Sequence, residues 1–207
     1  MRMHGLLRSL SARRPLFHSE ADFQHALAWE AQLANKSAAV RLEQQVAADG
    51  KRVHLDLLVR DNGLHTAIEL KYKTKRAALT HAGEEFHLRN QSAQDIGRYD
   101  FLKDIVRIER YVAAHPGSEG YALLLTNDQT YWQESKKAHA VDTAFRIHHG
   151  RTLTGELAWG AAASDGTKES RTSNICLAGT YALAWHDFST VKQELFRYVL
   201  VSIPRVA

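Results

Sequence analysis

Three residues in the first half of the chain have the types and spacing that could hold a divalent cation beside a positive charge. Asp56 is followed, after a spacer of twelve residues, by the tripeptide Glu69-Leu70-Lys71. Carboxylate oxygens are the ligands that Mg²⁺ and Mn²⁺ prefer in proteins. The pattern therefore predicts a metal site that contains Asp56 and Glu69, with the ammonium group of Lys71 next to it.

A β-hairpin is the element that must position these residues. Asn62-Gly63, between two alternating runs, is the strongest short hairpin signal in the chain. If these two residues form the turn, Asp56 lies directly across from Glu69. Two opposed carboxylates repel each other, and a bound cation would make the arrangement favourable. Strand alternation places Asp56, Glu69 and Lys71 on one face of the hairpin, and Leu55, Leu57, Ile68 and Leu70 on the other.

A third carboxylate has two candidates. Ser19 is a good N-cap, and it predicts a helix from about Glu20 to Ala34 on which Glu30 falls within the apolar arc. A buried carboxylate needs a partner, either the metal or an arginine. Glu43 is the second choice, because a two-residue turn at Asp49-Gly50 would place it opposite Asp56.

The second helix and the end of the third strand supply candidates for phosphate contact. A helix is predicted from about Ser92 to Ala114, and Gln94 and Arg98 project inward near its start. They either touch substrate or are simply solvated. Lys73 belongs to a basic run that suits backbone phosphates or a solvated strand end. Four charged residues lie outside the inward arc of this helix: Asp100, Lys103, Asp104 and Arg107.

The order of elements predicts a single α/β domain. Residues 1–18 are predicted to be a basic N-terminal arm, and residues 19–207 one domain with its core at about 19–128. Strands are expected at Ala39–Val46, Val53–Arg60, His65–Thr74 and Tyr121–Thr126. The C-terminal part is expected to flank or extend the sheet, with strands at Thr180–Trp185 and Arg197–Ile203 and a short helix at Thr190–Phe196.

Composition restricts the setting more than the activity. A formal charge of +4 permits a nucleic-acid partner without requiring one. A single cysteine, Cys176, rules out an internal disulfide and is typical of a reducing cytoplasm. No apolar run is long enough to cross a bilayer, so no membrane partner is expected. A homodimer and a protein partner both stay open.

Taken together, Asp56 and the Glu69-Leu70-Lys71 tripeptide resemble the D-x(n)-E-x-K signature of the PD-(D/E)XK nuclease superfamily. The helix, three strands, helix and strand between Ser19 and Asp128 resemble its restriction-endonuclease-like αβββαβ core, a mixed central sheet flanked by helices. One departure is that Leu55, rather than proline, precedes the aspartate.

This resemblance implies a Mg²⁺- or Mn²⁺-dependent nuclease that hydrolyses DNA. It assigns Asp56, Glu69 and the backbone carbonyl of Leu70 as metal ligands, and Glu30 as the acidic residue of the first helix. Lys71 would orient the attacking water or help to deprotonate it. Gln94 or Arg98 would match the polar residues that the second helix sometimes contributes.

Two other functions compete with this one. The first is a catalytically silent nucleic-acid-binding subunit of a larger defence or repair complex. The second is a structural α/β protein in which Asp56 and Glu69 pair with Lys71, Lys73 or Arg98. A metal titration separates these readings, because a site of opposed carboxylates gains stability with Mn²⁺ and a set of ion pairs does not.

Overall fold

The computed structural model describes residues 2–48, 51–137 and 140–205. Within them the fold is α/β, built on a mixed six-stranded sheet of order β1-β2-β3-β6-β10-β9 in which β3 and β6 run parallel. The longer elements are α1 (Met3–Arg13), α2 (Glu20–Ala34), β1 (Ala39–Ala48), β2 (Lys51–Asp61), β3 (Leu64–Lys73), β4 (Ala77–His81), β5 (Glu84–Leu88), α3 (Gln94–Ala114), β6 (Glu119–Thr126), β7 (Thr152–Leu157), β8 (Ile175–Ala182), β9 (Trp185–Val191) and β10 (Glu194–Ile203). A short 3₁₀ helix covers Thr143–Phe145, and α4 covers Asp165–Lys168.

One face of the sheet is covered by the two N-terminal helices. The hydroxyl of Ser19 accepts a hydrogen bond from the Asp22 N–H, so the predicted cap starts α2 at Glu20. The segment before it is not the arm that the sequence predicted. It forms α1, whose apolar residues recur at helical spacing and are buried against α2 and the sheet. The arginines of this segment made it look like a tail and masked that periodicity, carried by Met3, Leu6, Leu7 and Leu10.

The other face is covered by α3, which is itself covered on its outer side by the β7–β8 hairpin. Glu109 fixes this contact, because its carboxylate accepts hydrogen bonds from the N–H groups of Ala178 and Gly179 and from the Tyr181 hydroxyl. Tyr99 on the same helix donates its hydroxyl to the Ser173 carbonyl. The helix is therefore buried around most of its circumference.

Two hairpins differ from the sequence-based expectations. Residues 76–90, where the sequence predicted no strand, form β4 and β5, with Leu79, Phe86 and Leu88 packed into the same core cluster as α1 and α2. The short helix expected at Thr190–Phe196 is instead the turn between β9 and β10. A helical spacing of apolar residues over only seven positions is weak evidence for a helix, because the same segment can pair with neighbouring strands of a sheet. Among the described residues no helix is long and apolar enough to span a membrane.

Candidate active site

The predicted hairpin register is present, but it ends just before the two acids. Leu57 pairs with Ile68, and the ladder continues in that register to Asp61 and Leu64 at the turn. Strand β2 separates from β3 beyond Leu57, so Asp56 and Glu69 form no ladder pair. The turn residues Asp49 and Gly50 lie outside the described residues, while β1 and β2 on either side of them keep the predicted register.

The separation of the strands also changes where Asp56 points. Its neighbours Leu55 and Leu57 do not share a face: Leu55 packs on the α3 side and Leu57 on the α2 side. The expectation of simple alternation is wrong at this point. The opposite residue, Glu43, has a positive φ of 49° and interrupts the β1–β2 ladder. An irregularity of this kind redirects a side chain.

Where β3 no longer pairs with β2, carboxylates accept the hydrogen bonds of its N–H groups. The Asp56 Oδ2 atom accepts a hydrogen bond from the Leu70 N–H at 2.7 Å. Two residues further along, the Tyr72 N–H donates to Oε2 of Glu20 at 2.8 Å. Buried N–H groups need an acceptor, and here both acceptors are acidic. The gap between β2 and β3 is therefore lined by negative charge.

Glu69 is fully buried beneath this gap, on the α3 side of the sheet. Its Oε2 atom accepts a hydrogen bond from Arg107 at 2.7 Å, whereas Oε1 is buried and has no hydrogen-bond partner among the residues that the structure describes. Burial raises the pKa of Glu69, and the negative charges of Asp104 and Asp56 raise it further, while Arg107 and Lys71 oppose the shift. A buried carboxylate oxygen without a hydrogen-bond partner is available to bind a cation.

Lys71 connects the gap to α3. Its Nζ atom lies 3.0 Å from Asp104 Oδ2 and donates a hydrogen bond to the Leu70 carbonyl at 3.2 Å. Burial alone would lower the pKa of Lys71, but Asp104, Glu20 and Asp56 raise it overall. The ammonium therefore stays charged at neutral pH. It is suited to stabilise negative charge and orient water, and unsuited to accept a proton.

Two residues of this cluster were placed wrongly by the helix projection. Asp104 is only 3% exposed, and Arg107 bridges Glu69 and Asp104, although both were expected outside the inward arc. The projection assumed one buried face. Because the β7–β8 hairpin also covers α3, the apolar residues of this helix define a broad arc whose centre does not mark the direction of the site.

The acidic residue that α2 contributes to this cluster is Glu20, whereas the sequence predicted Glu30. The two positions are ten residues apart on α2, about 15 Å along the helix axis, so they cannot serve one site. Glu30 is buried, and its carboxylate lies 3.8 Å from Arg13, the ion pair that was its alternative. Glu20 directly follows the N-cap, where a carboxylate has an ordinary explanation as a helix-dipole partner, and nothing else in the sequence marks it.

Glu43 also stays outside the cluster. Its side chain is exposed and accepts a hydrogen bond from Gln24, which donates in addition to the Asp56 carbonyl at 2.7 Å. Gln24 therefore fixes the irregular stretch of β2 from the α2 side. Glu43 helps to hold Gln24 in place and does not reach toward Glu69 in this arrangement.

The polar residues at the start of α3 have internal partners. Gln94 donates to Asp128 at 2.9 Å, and Arg98, 3% exposed, donates to Asp142 and to the Thr130 carbonyl. Arg98 is thus committed to the structure and not available for phosphate contact as predicted. Lys73 differs, because its half-buried side chain makes no hydrogen bond or ion pair with the described residues.

The structural role of Arg98 can be tested by removing the negative charge of its partner Asp142. We expect Asp142→Asn to lower the free energy of unfolding by about 3–5 kcal/mol, because it leaves a buried guanidinium without its counter-charge. Asp187→Asn breaks an exposed pair with Arg197 and should cost less than about 1 kcal/mol. Urea unfolding measures both. Equal, small losses would show that Arg98 is not held as described.

The oxygen atoms of Asp56, Glu69 and the Leu70 carbonyl are of the chemical type that binds a hard cation. Among the residues that the structure describes, no three His, Cys, Asp or Glu side chains are close enough together to hold a metal. The predicted ligand set included Glu30 as a third carboxylate, and the structure instead places Glu30 beside Arg13; Asp56, Glu69 and the Leu70 carbonyl remain as candidate ligands. The unpartnered Oε1 of Glu69 supplies a free oxygen. Arg107 and Lys71 provide the positive charge that a buried acidic pair requires in the meantime.

Comparisons with known proteins add no assignment: no family model, curated protein or solved structure matches this chain.

Proposed function

We propose that this chain is a metal-dependent nuclease that hydrolyses DNA, with a restriction-endonuclease-like core. The observation that carries the proposal is the cluster where β2 leaves β3. It combines Asp56, the buried Glu69 with an unpartnered oxygen, and a Lys71 ammonium on the Leu70 carbonyl. An ordinary sheet gains nothing from two carboxylates at this position.

The order and pairing of the elements agree with the proposal. The sequence α2, β1, β2, β3, α3, β6 reproduces a helix, three antiparallel strands, a helix, and a strand parallel to the third. The two carboxylates and the lysine fall at the strand positions where the αβββαβ core carries its D and E-x-K residues. Helix α1 and the elements after Asn127 are additions around this core.

Each residue has a role that follows from its contacts. Asp56, Glu69 and the Leu70 carbonyl would hold Mg²⁺ or Mn²⁺, which when bound supplies a Lewis acid and lowers the pKa of bound water. Lys71, kept charged by Asp104, stabilises negative charge on the attacking water and on the phosphate. Glu20 holds the edge of β3 through the Tyr72 N–H. Arg107 holds Glu69 in place through a hydrogen bond to its Oε2 atom.

The same ion pairs favour the structural alternative, and this makes it the second candidate. Glu69 with Arg107, and Lys71 with Asp104, form a network in which every charge has an opposite neighbour. A structural network would neither bind a cation nor cleave DNA. The nuclease is favoured because Asp56, Glu69 and Lys71 follow the strand order in which the αβββαβ core carries its D and E-x-K residues, which a purely structural network does not require.

Nicking of supercoiled plasmid tests the function directly. We expect cleavage with Mg²⁺ or Mn²⁺ and none with EDTA. Two glutamates of α2 give a matched pair: Glu20→Ala should lower the cleavage rate about tenfold or more, because it removes the acceptor of the Tyr72 N–H and loosens β3 beside Lys71, and Glu30→Ala should leave the rate near the wild-type value. Metal-independent nicking, or none under any condition, contradicts the proposal. Equal loss in both variants would remove Glu20 from the site.

A further inference from the structure

The β4–β5 hairpin follows β3 directly and is held rigidly beside the candidate site. The Thr74 N–H donates to Gln91 Oε1, and the Thr74 hydroxyl donates to the Arg89 carbonyl at 2.6 Å. The Lys75 N–H donates to Asn127 at 2.9 Å. These bonds fix the two ends of the hairpin side by side at the end of β3, only a few residues from Lys71.

The body of the hairpin is also anchored. Phe86 is buried in the core under α1 and α2, and the His18 ring stacks on it at 4.3 Å. His18 also lies 2.8 Å from Glu84 near the hairpin turn. One face of the hairpin is thus docked, and the opposite face is exposed. A surface fixed this firmly can present charges in a constant arrangement.

Four cations at the base of this hairpin have no acidic partner. The side chains of Lys73, Lys75, Arg76 and Arg89 form no ion pair or hydrogen bond with the part of the chain that the structure describes. Other surface arginines, such as Arg171 with Asp100 and Arg197 with Asp187, form ion pairs with carboxylates. Four uncompensated charges in a protein of net charge +4 make this region a strong positive field.

Arg76 and Arg89 face each other across a shallow groove of about 440 Å³, which His87 and Asn90 also line. We propose that this basic groove, together with Lys73 and Lys75, binds the phosphate backbone of DNA and directs a strand toward Glu69 and Lys71. The substrate class rests on the proposed function, but binding in the groove requires neither metal nor cleavage.

The dimensions agree with a backbone contact. From Lys71 to Arg76 the chain spans at most about 16 Å at about 3.3 Å per residue. One strand of duplex DNA carries a phosphate about every 3.4 Å of helix axis, so the groove and the site together would follow about four or five phosphates. Contacts of this kind position the duplex and carry no sequence information.

The salt dependence of binding tests the groove separately from catalysis. Anisotropy of a short fluorescent DNA duplex, measured in EDTA over a series of salt concentrations, gives the slope of log affinity against log salt. Arg76→Ser/Arg89→Ser should reduce that slope by about two and weaken binding at low salt. Lys36→Ser/Lys168→Ser, which removes two surface lysines outside the hairpin, should leave the slope unchanged.

Each outcome is decisive for one proposal or the other. A slope equal to wild type in the Arg76/Arg89 variant, or an equal reduction in the Lys36/Lys168 variant, overturns the groove. So does tighter binding of a duplex RNA than of the DNA duplex. If the slope falls as expected but wild-type protein never nicks plasmid with metal, the groove stands and the nuclease proposal fails. Circular dichroism and the melting temperature confirm that both double variants fold.

Discussion

Replacing Lys71 by alanine should abolish metal-dependent cleavage of DNA, with a fall in rate of about a hundredfold or more. The reason is that its ammonium is the charged group held closest to the Leu70 carbonyl and is kept protonated by Asp104. Without it, negative charge on the attacking water and the phosphate lacks its compensating partner. Initial nicking rates on supercoiled plasmid at saturating Mg²⁺ measure the effect.

That experiment must distinguish a loss of catalysis from a loss of the folded state. Lys71→Ala leaves the buried Asp104 with only the more distant Arg107 as an ion-pair partner, which lowers the stability of the fold. The double variant Lys71→Met/Asp104→Asn removes both charges at once, so it should fold and still fail to cleave. Lys103→Ala, an exposed lysine on the same helix as Asp104, should cleave at the wild-type rate. A folded double variant with full activity would exclude Lys71 from the chemistry.

The second large effect is a pH-dependent stabilisation by Mn²⁺. Because burial, Asp104 and Asp56 raise the pKa of Glu69, the metal-free fold favours the protonated carboxyl. Its contribution to stability is therefore present below the ordinary glutamate pKa and is lost as pH rises toward the raised value. A cation needs the ionised form, so binding releases a proton and tightens with rising pH, by up to about tenfold per unit.

Thermal unfolding with and without Mn²⁺ at several pH values measures this linkage. At a metal concentration about 100 times the dissociation constant, stability should rise by about 2.7 kcal/mol, or about 5–10 °C in melting temperature for a chain of this size. The shift should grow from mildly acidic to mildly alkaline pH. Glu69→Gln should lose both the metal shift and its pH dependence, and Glu30→Gln should retain them. A shift that survives in Glu69→Gln would place the metal elsewhere.

The hairpin that carries the site was predictable because its rules are local. Asn62-Gly63 fixes the register by turn geometry alone, and the observed pairing follows it from Asp61 to Leu57. The same rule could not show that β2 leaves β3 one pair later. That departure depends on Glu43 in the neighbouring strand and on Gln24 in α2, which are contacts between distant parts of the chain.

The errors in placing the other residues of the cluster share one physical cause. Asp104 and Arg107 were misplaced, and Glu20 was passed over for Glu30, because the sequence analysis asked which side of each helix faces one core. In this molecule α3 lies between two covering layers, and α2 reaches the site with its first turn rather than its middle. Periodicity measures how apolar residues are distributed, and it cannot locate a polar gap at the end of a ladder.

The burial of both faces of α3 affects the order in which the chain can fold during its synthesis. Asp104 and Arg107 are held in place by a helix that begins at Gln94 and whose outer side is completed only by β7, which begins at Thr152, and β8, which begins at Ile175. During synthesis, the catalytic strands emerge long before this cover exists. We therefore expect a chain that ends before β7 and β8 to leave the outer side of α3 exposed, and a nuclease built on this cluster would become active only after the last third has been translated.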